Sequence, residues 1–189
     1  MLTSPAVELA LSRAYNRFLA DRCGGSGGRL GWVMQPSLKN MDETVKDIAW
    51  ARRQGAVGVH LRGLEGNRPI DDPEFYPVYQ VAQQLDMPIC VHIGNASTAF
   101  RQLRRNAQNR PSRFHMSVPT IMSFTAIATS EISTRFPTLR FGFFEVGSSW
   151  LTYVVTQAHK VRDDRDRKTF TQSVLRERNL YVTCEEHEE

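Results

Sequence analysis

Missing from this chain is any apolar run near the roughly 18 residues that a membrane span requires. Its first residues, Met1-Leu2-Thr3-Ser4-Pro5, also lack the basic-then-apolar order of an export signal. Cysteine is scarce: Cys23, Cys90 and Cys184 lie far apart and form no C-x-x-C or zinc-ribbon spacing, which argues against a disulfide framework or a cysteine-built metal centre. Nor does a glycine-rich phosphate turn follow an early strand. Gly24-Gly25-Ser26-Gly27-Gly28 comes after a helical pattern and before a strand, the reverse of the nucleotide-binding order. These absences predict a soluble, cytoplasmic protein with reduced thiols and no membrane partner.

What is present describes a globular chain of 189 residues, 41% of them hydrophobic, long enough for one domain (residues 1–189) with a sizeable core. The net charge of +4 is unevenly spread. Arg101, Arg104, Arg105, Arg110 and Arg113 crowd a polar stretch that could attract anions. Only Phe100 and Phe114 flank it, so aromatics to stack bases are not interleaved, and no nucleic-acid partner is expected. The stretch reads as a solvated insertion, with an anion-attracting lip as the second reading.

Helical spacing of apolar residues covers 5–21, 42–54, 119–135 and 150–161, with a shorter helix after the charged turn at 162–168. Asp72-Pro73-Glu74 supplies an N-cap, a first-turn proline and an acidic start for another helix, running to about residue 85. Between them lie five short strand patterns, near residues 30, 57, 89, 140 and 180. The strand–helix alternation predicts an α/β fold whose parallel sheet carries its helices in right-handed crossovers. An open doubly wound sheet and a (β/α) barrel both satisfy that order; the missing phosphate turn favours the barrel.

In such folds chemistry gathers at the carboxyl ends of strands. Met87-Pro88-Ile89-Cys90-Val91-His92-Ile93-Gly94 is an apolar run that delivers one histidine to its end, and Glu145 closes the strand pattern at 139–145. His92 and Glu145 are therefore the leading candidates. His60 and Arg62 end the second strand pattern, and Arg62 has the fork geometry to take a substrate carboxylate. Asn95 just past His92 either closes a turn or donates to substrate.

The order of several motifs resembles the amidohydrolase-related family, which includes aminocarboxymuconate-semialdehyde and hydroxybenzoate-type decarboxylases. They are Tyr15-Asn16-Arg17-Phe18-Leu19-Ala20-Asp21, Gly55-Ala56-Val57-Gly58-Val59, Asp72-Pro73-Glu74-Phe75-Tyr76-Pro77-Val78-Tyr79, Pro88-Ile89-Cys90-Val91-His92, Arg135-Phe136-Pro137-Thr138-Leu139-Arg140 through Glu145-Val146-Gly147-Ser148-Ser149-Trp150, and Arg178-Asn179-Leu180-Tyr181-Val182-Thr183. The resemblance implies a (β/α)₈ barrel holding a divalent metal, with zinc expected. His92 would match the fifth-strand metal ligand and Glu145 the end of the sixth strand, where a general base or an additional ligand belongs.

The chain departs from that family pattern in two places. No His-x-His or Glu-x-His precedes Tyr15, and no strand-end aspartate follows residue 184. The expectation is a partial barrel, approximately strands 3 to 7. Its function would be decarboxylation or hydrolysis of a small carboxylated, aromatic substrate in a complete parent. The alternative is a non-catalytic fragment or interaction protein that keeps the barrel core; its open edges would favour homo-oligomers. Cys184-Glu185-Glu186-His187-Glu188-Glu189 reads as a polar loop after the last strand.

Overall fold

A computed structural model describes residues 4–94, 97, 102, 114–161, 173–186 and 188. Helix α1 (Pro5–Gly24) leads to strand β1 (Trp32–Met34). Helix α2 (Met41–Arg53) follows, started by Asn40, whose side chain accepts from the Glu43 amide. Then come strand β2 (Ala56–Arg62), a small hairpin of β3 (Leu64–Glu65) and β4 (Arg68–Pro69), and a 3-10 turn at Pro73–Phe75. Asp72 accepts from the Glu74 amide at that turn, and helix α3 (Tyr76–Gln84) runs on from it into strand β5 (Ile89–His92). The second half contains α4 (Phe114–Thr129), α5 (Ile132–Arg135), β6 (Phe141–Phe144), α6 (Leu151–Val161), α7 (Ser173–Glu177) and β7 (Leu180–Val182).

The large sheet has the order β1-β2-β5-β6-β7, and every neighbouring pair is parallel. Each new strand thus adds to the same edge. A doubly wound sheet reverses its order at a switch point, whereas one that winds in a single direction is an arc of barrel wall. This selects the barrel over the open sheet. The sheet is five of the eight strands that a closed barrel would need.

Register then sorts the side chains. Strand period two puts Val59, Leu61, Ile89, Val91, Phe141 and Phe143 on the face covered by helices, all of them buried. Burying each such side chain contributes about 1.5–3 kcal/mol. His60, Arg62, Cys90, His92, Gly142 and Phe144 fall on the opposite, inner face, together with the exposed Tyr181.

Three local expectations change. The β3–β4 hairpin is new, because two-residue strands around Gly66, at φ 67°, leave no periodic signal. Helix α4 begins at Phe114 and carries Pro119 inside it, where the proline had read as a helix start. In α1 the helical extent agrees, but Val7, Leu11 and Phe18 face outward while Asn16 is buried. Asn16 is drawn inward because its amide bridges the Gln35 backbone on both sides, accepting from the Gln35 amide at 2.9 Å and donating to the Gln35 carbonyl at 2.8 Å.

Candidate functional site

The apolar core of β5 brings His92 to the strand end and leaves its side chain about half exposed on the inner face. Its Nδ1 lies 2.9 Å from the Ile93 carbonyl oxygen. A carbonyl only accepts, so Nδ1 carries a hydrogen and the neutral ring presents its lone pair at Nε2. Nε2 sits 3.1 Å from Oε2 of Glu145. Two lone-pair atoms that close require a positive particle between them, either a proton or a metal ion. Ligand bonds of about 2.0–2.1 Å put two adjacent donors on one ion roughly 3.0–3.4 Å apart, so the His92–Glu145 pair fits a single divalent cation.

Glu145 reaches this position through an uncommon backbone, with φ at 59°. For a non-glycine residue this left-handed conformation costs on the order of 1–3 kcal/mol and persists only where the surroundings impose it. Here the Glu145 amide donates to Thr183 Oγ1 at 3.1 Å, and the Thr183 amide in turn donates to the Phe143 carbonyl at 3.1 Å. The strand-end carboxylate is therefore held by the loop that follows β7.

His60 is the candidate that its sequence position put at a strand end without joining it to His92. Its ring centroid is 6.2 Å from that of His92, and its Nδ1 is buried without a hydrogen-bond partner. Burial pushes the imidazole pKa down to about 4, with the positive charge of Arg62, and that of His92 whenever its ring is protonated, adding to the effect, so the His60 ring is neutral near pH 7. The available signal was period two: His60 pairs in register with Cys90, and Arg62 with His92, which puts all four on one face.

Arg62 lies beside His92 in register, but the Nε–Nη2 edge of its guanidinium is taken by Glu65. Glu65 also accepts from the Arg62 amide at 2.8 Å and is only 6% exposed. A ligand carboxylate must displace Glu65 or approach from the Nη1 side. Arg62 also borders a cavity of about 470 Å³ shared with Lys39 and Arg68. Asn95 and His187 lie outside the described residues, as does 101–113 apart from Gln102. Among the described residues no group of three or more His, Cys, Asp or Glu side chains could hold a metal ion. No helix among them is long and apolar enough to cross a membrane.

Comparison with known proteins follows the same lines. Residues 4–186 match the family described as Amidohydrolase. No curated protein matches the chain. Among solved structures, 5-carboxyvanillate decarboxylase from Novosphingobium aromaticivorans, with bound manganese and 3-methoxy-4-hydroxy-5-nitrobenzoic acid, superposes with a TM-score of 0.79 at 20% identity, covering 97% of this chain and 55% of its own. An amidohydrolase from Mycobacterium avium subsp. paratuberculosis gives 0.78 at 16% identity, covering 98% and 50%. The 2,6-dihydroxybenzoate decarboxylase from Rhizobium gives 0.73 at 15% identity, covering 98% and 61%. The chain thus spans between half and about three-fifths of the length of these structures. At such identities the likeness is one of fold, a partial TIM-type barrel. Where zinc was expected, the bound ion of the first neighbour is manganese.

Proposed function

We propose that this chain, which belongs to the amidohydrolase family, contributes one wall of the active site of a metal-dependent decarboxylase or hydrolase acting on a small carboxylated, aromatic substrate. The observation that carries the reading is the His92 Nε2 to Glu145 Oε2 approach of 3.1 Å at two parallel strand ends, with the opposite ring nitrogen committed to the Ile93 carbonyl. An imidazole and a carboxylate suit zinc and manganese alike. A divalent ion bound there would supply Lewis-acid polarisation of a substrate oxygen.

This chain's own residues have separate tasks. His92, with its tautomer set by Ile93, offers Nε2 as a donor of fixed direction. Glu145 is within reach of the same point and can move a proton. Where it is not itself holding the ion, the Glu145 carboxylate would take a proton from the attacking water in hydrolysis, or relay one to the ring carbon that loses carbon dioxide in decarboxylation. His60, whose ring centroid is 6.2 Å from that of His92, is neutral near pH 7 and so adds no positive charge beside the pair. Decarboxylation is supported by the two aromatic-acid decarboxylases among the structural neighbours.

A second reading has its own support. One imidazole and one carboxylate hold a divalent ion weakly, and a chain that keeps the barrel core without tight ion binding would serve in a non-catalytic role. The two readings part on ligand binding. Titration of the purified protein with 2,6-dihydroxybenzoate, followed by NMR, is expected to show binding at the β5 and β6 ends that requires Mn²⁺ and disappears in His92→Ala. Binding indifferent to both the ion and His92 would overturn the first reading.

A further inference from the structure

Glu188 is separated from the nearest candidate residue by more than 40 positions in sequence, yet its carboxylate is bound on both oxygens to the loop that carries Glu145. Oε1 accepts from the Ser148 amide at 2.6 Å and the Ser149 amide at 2.8 Å. Oε2 accepts from the Ser148 hydroxyl at 3.0 Å and from the Glu185 amide at 2.9 Å. The Glu188 amide returns a bond to the Glu185 carbonyl at 3.1 Å, which closes its own loop on itself. Gly147 makes the approach possible: at φ 66° it has no Cβ, and one built there would lie 2.5 Å from Glu188 Oε1. These backbone donors, from Glu185, Ser149 and Ser148, also hold the Glu188 carboxyl down at about 2, so it stays ionised at any working pH.

The loop after β6 is consequently pinned to the loop after β7 at two points that bracket Val146. One is the Glu145 amide on Thr183, and the other is the Ser148–Ser149 pair on Glu188. Glu145 sits between the strand and the second point in a conformation that an unconstrained glutamate avoids. A carboxylate carried on such a backbone keeps its direction only while the surroundings hold the backbone there.

We propose that Glu188 is a positioning residue: it clasps the β6 and β7 loops together and thereby sets Glu145 opposite His92. The proposal rests on the reading of His92 and Glu145 as a site pair. A simple structural role, stitching one surface turn, would leave the His92 ring unaffected.

The test uses the metal-free protein labelled with nitrogen-15. Long-range imidazole spectra report His92 Nε2, and Glu145→Gln gives its resonance when the carboxylate contact is lost. In Glu188→Ala the His92 Nε2 resonance is expected to move to the Glu145→Gln position, and amide exchange at Ser148 and Ser149 to speed up by at least about tenfold as the loop opens locally. Glu188→Gln, which keeps one accepting oxygen and its size, is expected to fall between and serves as the readout if the alanine variant fails to fold. Faster exchange at Ser148 and Ser149 with an unmoved His92 resonance would reduce Glu188 to a surface stitch and overturn the proposal. Unchanged exchange at those amides would overturn it as well, since the clasp would then not form in solution. Failure of the metal reading leaves this comparison intact, because no ion takes part in it.

Discussion

Replacing Glu145 by glycine separates a residue kept for chemistry from one kept for stability. The left-handed backbone at φ 59° should relax, which returns about 1 kcal/mol from the lower end of the range for such strain. Glycine gives back roughly 0.5–1 kcal/mol of that through the extra freedom of the unfolded chain. Loss of the ion pair with His92 removes little more, because both side chains are nearly half exposed and such pairs are worth about 0.2–1 kcal/mol before screening. The amide bond to Thr183 survives, since it involves only the Glu145 backbone. The sum is a change within about 1 kcal/mol of zero. Urea denaturation followed by circular dichroism, with Glu145→Gln as the variant that keeps the backbone strain, measures it. A loss above about 2 kcal/mol in Glu145→Gly would show that the carboxylate supports the fold and that its placement beside His92 is incidental.

Two further variants probe the surroundings of the pair. A buried base whose pKa falls on folding binds fewer protons in the native state, so stability should drop as pH falls from the ordinary histidine value of 6.5 toward about 4. His60→Phe is expected to remove most of that drop, on the order of 3 kcal/mol at full protonation, and an unaltered stability-against-pH curve would place the charge penalty elsewhere. Phe124 is fully buried and makes edge contacts with Phe143 at 5.2 Å and Trp150 at 5.0 Å, so Phe124→Ala should cost about 3–5 kcal/mol by thermal unfolding. A cost below about 1 kcal/mol would mean that α4 is not seated on β6 as described.

Much of the fold was legible because its signals are local. Each of the five strand patterns lies over a strand of the sheet, and the Asp72 cap is formed as its sequence suggests. The choice between barrel and open sheet was less accessible, since strand order is a long-range property that spacing does not encode. The resemblance to the amidohydrolase-related family implies a barrel; the family match bears out the resemblance, and the one-directional strand order and structural neighbours bear out the barrel. In α1 the helical period was correct and the inward face was not. A single asparagine bonded to the Gln35 backbone outweighed the apolar stripe, a contact across 19 residues that leaves no periodic trace.

The candidate site divides in the same way. His92 and Glu145 were visible because each ends an apolar strand run, and the structure brings them to 3.1 Å. The partners that act on them were hidden. Arg62 looked available for a substrate carboxylate until Glu65, three residues on, closed over one edge of its guanidinium. Glu188 read as part of a polar tail, and only the meeting of two loops gives its carboxylate four donors. His60 gained its meaning from register, which pairs it with Cys90 and stacks it one step below the His92–Arg62 level.

Paramagnetic broadening by Mn²⁺ tests the central claim most directly, because it detects even a weakly held ion and locates it. Substoichiometric Mn²⁺ added to the nitrogen-15-labelled protein should broaden His92 and Glu145 first, then Arg62 and His60 on the same face, and His92→Ala should abolish the pattern. Broadening centred on Glu185 and Glu186, or one that persists unchanged without the His92 imidazole, would contradict the claim that the ends of β5 and β6 form the metal-binding wall of the site.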